Sequence, residues 1–192
     1  ISMVNTIRDK LIELDPAHSS NYTVNANEYI TKLTTLHEYI ENLMDNVDNK
    51  HMLIFHPSYG YFCEDYGIEM IALEDDGQDP TSEHYVEILQ KIEDHNVGAI
   101  FIQKQISSSV AESFSEDAGV EIVQLNPLAG NYHDNMKEEA ELIAEKLDQP
   151  PGDKGGISGY SFISLAIIGM VMISAQIMRF QLKKTKDKSN II

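Results

Sequence analysis

Four short apolar runs, each followed by a helix-length amphipathic segment, constrain the fold of this chain more than any other feature. The runs are MLIF (52–55), IEMIAL (68–73), GAIFIQ (98–103) and VEIVQL (120–125). They are short and rich in Ile and Val, so they read as strands. Between and after them, 59–67, 81–96, 107–119 and 131–148 read as helices, with Thr81 or Ser82 capping the second and Gly119 closing the third. Near-continuously apolar strands need cover on both faces. The predicted class is therefore α/β, a four-stranded parallel doubly wound sheet. Such sheets bind ligands beyond the carboxyl ends of their strands. Two polar side chains stand there, His56 after the first strand and Asn126 after the fourth. The segment HPSYG after the first strand is not a G-x-G-x-x-G loop and gives no support to a nucleotide site.

The region before the sheet is helical. Residues 2–13 read as a helix ended by Asp15-Pro16. Ser19 or Ser20 then caps a second helix, whose apolar positions Val24, Tyr29, Ile30, Leu33, Leu36, Ile40, Leu43, Met44 and Val47 recur every three or four residues. At 1.5 Å per residue it is roughly 40 Å long. That length suits either a coiled-coil arm or a spine carrying two lobes. The chain opens inside an amphipathic pattern (Val4, Ile7, Leu11, Leu14) with no signal peptide, so the reading expects a targeting segment upstream of Ile1.

Charge divides the molecule. The net charge is −17 over the whole chain, with +4 contributed from residue 179 onward and −21 before it. A surface so acidic argues against nucleic acid and against adsorption to an anionic membrane. Between Lys154 and Arg179 no charged residue occurs for 24 positions, and the run ISGYSFISLAIIGMVMISAQIM (157–178) is long enough to cross a bilayer as a helix. Lysines follow it at once. The positive-inside rule then predicts a single-pass protein of the cell membrane, with an extracellular N-terminal domain and a cytoplasmic C-terminus. The expected organisation is a helical segment (1–18), a long helix (19–48), the α/β unit (49–148), a Pro/Gly linker (149–156), a transmembrane helix (157–180) and a basic tail (181–192).

At this point a resemblance enters. FHPSYGYFCEDYGIEMIALE (55–74) resembles the third-ligand segment of the solute-binding proteins of zinc and manganese ABC importers, the ZnuA-like and TroA-like family. QDPTSEHYVEIL (78–89) is similar to the start of their next helix. The segment from Gly98 to Met136 resembles their following strand–helix–strand stretch, and 15–36 their long backbone helix. The resemblance spans roughly residues 1–148 in order. It implies an extracytoplasmic metal-binding protein, not an enzyme, with Zn2+ as ligand (Mn2+ as the alternative) and an ABC permease as partner. It also implies that residues 1–18 are the last piece of an N-terminal lobe and 19–48 the spine. In the family two histidines come from the N-terminal lobe, a His or Glu from the position of His56, and an Asp from the position of Asn126. Here that last position is an amide, and the two histidines would lie upstream of Ile1. The alternative function is a surface interaction or adhesion protein that has lost metal binding.

The remaining polar residues have plainer readings. Asn126 is open between a ligand and a cap on the turn before Pro127. His84, His95 and His133 are expected to be exposed on helices, and His51 to precede a strand without a partner. Asp75, Asp76 and Asp79 read as a turn, because their spacing fits no EF-hand. Cys63, the only cysteine, reads as a buried small hydrophobe and excludes multi-thiolate zinc sites. Ser107, Ser108 and Ser109 read as a helix N-cap, since no nucleophile elbow surrounds them.

Overall fold

The computed structural model describes residues 1–152, apart from 75, 76, 107 and 108. The elements are α1 (Ser2–Leu14), a single 3₁₀ turn (Pro16–His18), α2 (Ser19–Asp45), β1 (His51–Ile54), α3 (Gly60–Asp65), β2 (Glu69–Ala72), α4 (Ser82–His95), β3 (Ala99–Gln103), α5 (Ser109–Ala118), β4 (Glu121–Leu125) and α6 (Tyr132–Leu147). The expected transmembrane helix and basic tail, most of the linker, and Asp75, Asp76, Ser107 and Ser108 lie outside the described residues. Among the described residues no helix is long and apolar enough to cross a membrane.

The four strands form one parallel sheet in the order β2-β1-β3-β4. Their pleat sorts each apolar run between two cores. Met52, Ile54, Ala99, Phe101, Val123 and Leu125 face α2, α3 and α6. Leu53, Phe55, Ile71, Leu73, Ile100 and Ile102 face α4 and α5. Each of these side chains except Ala99 contributes about 1.5–3 kcal/mol when removed from water. This explains why the central strands β1 and β3 are apolar between their ends, while the edge strands β2 and β4 carry the exposed Glu69, Glu121 and Gln124. The order also sets the helix layers. From β1 the chain winds first toward β2 and then reverses toward β3 and β4. Right-handed crossovers require the helix to change face when the winding reverses. Accordingly α3 covers one face, and α4 and α5 the other.

The long helix is present, with 27 residues in α2. Its two halves differ. Leu36, Ile40 and Met44 are buried in the core beneath α6, whereas Val24 and Tyr29 stay exposed. Neither predicted serine caps it: Ser19 is already its first helical residue, His18 stands at the cap, and no side chain accepts a cap hydrogen bond. The reason lies three residues earlier. Asp15 accepts from the Tyr22 hydroxyl at 2.8 Å and from His18 Nδ1 at 2.7 Å, so its carboxylate ties the 3₁₀ turn to the first turns of α2. These hydrogen bonds hold the exposed Asp15 carboxyl below its ordinary range. At α4 the expected capping does occur, with Thr81 Oγ1 accepting from the His84 N–H at 3.2 Å. Gly119 ends α5 in the left-handed region, at φ +68°, as its position predicts. Cys63 is buried, and burial pushes its thiol up to about 11.

Candidate functional site

Reversal of the winding places a crevice at the carboxyl ends of β1 and β3, where ligands settle on open α/β sheets. His56 stands at this crevice, two residues beyond β1. Asn126 follows β4 directly. The two therefore lie at the same end of the sheet with one strand between them, roughly 9–10 Å apart at the backbone by ordinary strand spacing. No hydrogen bond joins them among the described residues.

His56 is half-exposed, and its Nδ1 lies 2.7 Å from Glu74 Oε2, whose side chain is 15% exposed. Backbone geometry makes this pair. The β1–β2 ladder runs past its nominal ends, with Leu73 N–H donating to Ile54 O at 2.8 Å and Glu74 N–H to Phe55 O at 3.0 Å. The carbonyl of His56 accepts from Ser58 N–H at 2.7 Å, which turns the chain before α3. An ionised carboxylate only accepts, so a neutral His56 ring paired with one carries its proton on Nδ1 and leaves the lone pair on Nε2. Among the described residues no hydrogen bond engages Nε2.

Asn126 is held differently. Its side-chain oxygen accepts from Gln105 Nε2 in the loop after β3. Its carbonyl accepts from Ala129 N–H and from Asn135 Nδ2, each at 3.1 Å, so backbone rather than side chain closes the turn at Pro127. Its own N–H donates to Glu139 Oε1. Glu139 is buried on α6, and its other oxygen accepts from the buried Tyr59 hydroxyl at 2.6 Å. One carboxylate thus ties the loop after β1 to the loop after β4. Burial, and then this hydrogen bond, push the Tyr59 hydroxyl far above the usual phenol range. Beside the two loops runs an apolar groove of about 880 Å³ between α2 and α3, which reaches Ser58 and Pro127 but neither His56 nor Asn126.

The other histidines depart from their expected exposure. His84, His95 and His133 are half-buried rather than exposed. His84 Nε2 lies 3.1 Å from Ala72 O, and His133 Nδ1 lies 2.8 Å from Asp134. His51 belongs to β1 itself and has partners: its ring stacks on His95 at 3.7 Å and 16°, and its Nδ1 lies 3.0 Å from Asn49 Oδ1. The stack joins rings 44 positions apart, a relation that short-range sequence patterns do not carry. Sequence reading also misses Glu74, Gln105 and Glu139. Glu74 is the first polar residue after the second apolar run, the same signal that marks His56 after the first. Glu139 interrupts the apolar stripe Met136, Ala140, Ile143, Leu147 of α6, and a carboxylate on a buried stripe needs a partner. Among the described residues no three His, Cys, Asp or Glu side chains converge as a metal cluster.

Comparison with known proteins gives this geometry a family. Residues 1–146 match the family model described as zinc-uptake complex component A, periplasmic. The zinc-binding protein AdcA of Streptococcus pyogenes serotype M1 is 28% identical over 139 residues, which cover 71% of this chain and 27% of AdcA. The high-affinity zinc uptake system protein ZnuA of Bacillus subtilis strain 168 is 24% identical over 156 residues, covering 75% of this chain and 49% of ZnuA. A crystal structure of ZnuA superposes with a TM-score of 0.71 at 27% identity, covering 74% of this chain and 56% of that one. A zinc-bound ZnuA deletion mutant gives the same TM-score of 0.71. The chain spans about a quarter of the length of AdcA and about half that of ZnuA. By that family match over most of its length, the chain belongs to the zinc-uptake solute-binding proteins, a family of binding proteins rather than enzymes.

Proposed function

We propose that this chain supplies part of the metal cleft of a zinc receptor, with His56 Nε2 as its strongest ligand and the side-chain oxygen of Asn126 as a second donor. The observation that supports this most directly is His56 itself. It stands at the crevice of the sheet, half-exposed, with its Nδ1 proton engaged by Glu74 and its Nε2 unengaged among the described residues. Imidazole nitrogen suits zinc better than manganese, which is why Zn2+ is proposed and Mn2+ kept as the alternative. The zinc-binding relatives point the same way. Zinc normally takes about four ligands. One imidazole and one amide make half a site, and a full site needs further donors. The Asn126 side-chain oxygen accepts one hydrogen bond from Gln105 and keeps a second lone pair.

In this reading the protein works outside the cytoplasmic membrane, held there by residues 157–178, and hands its metal to an ABC permease. Competitive zinc titration with a chromogenic chelator tests the ligand assignment. His56→Ala is expected to lower affinity at least about tenfold, the order that loss of an inner-sphere bond implies. Asn126→Asp is expected to raise affinity, because it replaces a neutral oxygen by an anionic one. If neither substitution changes zinc binding, the two residues share no metal site, and the surface-interaction reading takes its place. Recovery of the chain in the soluble fraction after carbonate washing would remove the anchor from the proposal.

A further inference from the structure

Glu74 has no role in the metal reading as drawn from the sequence, yet its carboxylate is the only side chain bonded to the ring of His56 among the described residues. We infer that Glu74 is a positioning residue for metal capture: it fixes His56 in the Nδ1–H tautomer and aims Nε2 into the crevice. This rests on the metal reading of His56 above.

The sheet register supplies the first part of the argument. β1 and β2 pair with an offset of 18, from His51 opposite Glu69 to Ile54 opposite Ala72. The two hydrogen bonds beyond the strands carry that offset onward, so Glu74 falls opposite His56. The pair is therefore a cross-strand neighbour pair set by backbone, not a chance meeting of loops. Chemistry supplies the second part. At 2.7 Å the contact has the length of a charge-assisted hydrogen bond, and Glu74 is largely shielded from water, which strengthens it. A ligating histidine commonly donates its other N–H to a carboxylate, which fixes the ring and makes its free nitrogen more basic. A lone exposed histidine lacks both advantages, since its ring rotates and its tautomers exchange. At a site whose fourth position is an uncharged amide, the negative charge of Glu74 beside the imidazole also offsets part of the metal's charge without occupying a coordination position.

The test combines a readout that needs no metal with one that does. The full chain is labelled with 15N-histidine, and the ring nitrogen shifts of His56 are recorded at about pH 8 without metal, the signal being identified by its loss in His56→Ala. The wild type is expected to show the Nδ1–H tautomer. Glu74→Ala should shift His56 toward the Nε2–H tautomer that an unconstrained histidine prefers. Glu74→Gln, whose amide oxygen still accepts from Nδ1, should keep the wild-type tautomer. In competitive zinc titration Glu74→Ala should lose about 10- to 100-fold in affinity, and Glu74→Gln markedly less. An Nε2–H tautomer in the wild type, or a tautomer unchanged in Glu74→Ala, overturns the inference. So does equal loss of zinc affinity in Glu74→Gln and Glu74→Ala with the tautomer preserved in the former, because Glu74 would then be a ligand itself. A wild-type chain that shows the Glu74-dependent tautomer but takes up no zinc overturns the metal reading, and with it the inference. Equal zinc binding by all three forms overturns the role of Glu74 alone.

Discussion

The two ends of the β1–β2 pair are built from the same residue types and behave differently. Each end sets a histidine opposite a glutamate: His51 with Glu69 within the strands at the amino end, and His56 with Glu74 two residues beyond the strands at the carboxyl end. At the amino end the histidine is one member of a closed assembly. His51 Nε2 lies 3.6 Å from Glu69 Oε2, its Nδ1 meets Asn49, and its face is covered by His95. Around it, Asp148 Oδ1 accepts from the N–H groups of Asp48 and Asn49 at 3.0 and 2.9 Å, and Asn49 Nδ2 donates to His95 O at 2.9 Å. At the carboxyl end, among the described residues, the histidine ring has Glu74 as its one hydrogen-bond partner and its Nε2 is unengaged. On the metal site proposed above, the difference separates two outcomes: perturbations of the amino end should be read out as unfolding, and those of the carboxyl end as altered zinc affinity.

A glycine pair tests this with the largest expected effect. A Cβ at Gly98, just before β3, would lie 2.1 Å from Gln149 O and 2.7 Å from Pro150 C. The chain leaving α6 therefore crosses the amino end of the sheet in direct contact with the Gly98 backbone. Gly98→Ala is expected to destabilise by about 3 kcal/mol, because neither backbone can yield without losing its contacts. Gly130, in the loop after β4, has nothing within 4 Å of the same position. Gly130→Ala should stay within about 0.5 kcal/mol of the wild type. Urea unfolding of the two variants measures both values. Equal destabilisation would erase the contrast between the ends.

Glu139 marks the limit of the contrast, since it is a buried structural group placed at the end proposed to bind metal. Removing its carboxylate leaves the Tyr59 hydroxyl and the Asn126 N–H without their partner. Glu139→Ala should cost about 2–3 kcal/mol in the same unfolding measurement, the penalty of stranded buried donors. It should also weaken zinc binding, because the loops after β1 and β4 lose their common tie. Tyr59→Phe, which removes only one of the two bonds, should cost less. A Glu139→Ala chain with unchanged stability would show that the tie is made by packing alone.

Much of this architecture was legible in the chain, for identifiable reasons. A strand covered on both faces has to be apolar at nearly every position, so β1 and β3 stand out in any reading. Cores of that kind also fix the helix–strand alternation and, through the handedness of crossovers, the winding. The placement of His56 and Asn126 followed from one rule, that ligands meet strand ends. What the sequence hid were relations between elements. His51 and His95 are 44 positions apart and meet only because the end of α4 returns to the start of β1. Glu139 and Tyr59 are 80 positions apart. The cap of α2 was misread because Asp15, which organises the turn, acts from outside the helix it serves. Short-range patterns report propensity and burial, whereas a polar contact made by the fold leaves only an indirect trace, a polar residue where the stripe or strand end should be apolar.

The smallest expected effect concerns pH and sharpens the distinction between the two histidines. Burial, and then the stacked ring of His95, hold the His51 imidazole below its ordinary value of 6.5, with Glu69 acting in the opposite direction. In the unfolded chain His51 titrates near 6.5, whereas in the folded chain it takes its proton only at lower pH. The unfolded state therefore binds more protons in the window below about pH 6.5, and by linkage stability falls as pH drops through that window. Above it the contribution is fully present. The expected outcome is a loss of stability on acidification that is shallower in His51→Phe, where the titrating group is gone and the stack is kept. His95→Phe should be intermediate, because it removes the second cause and leaves the first. Glu69→Gln should steepen the loss, because it removes the one group that favours the proton. Urea midpoints of the four chains between pH 7.5 and 5.5 measure these slopes, and differences between variants cancel the histidines elsewhere in the molecule. A His51→Phe profile parallel to the wild type would show that the closed assembly at the amino end does not resist protonation, and the contrast between the ends would then rest on packing alone.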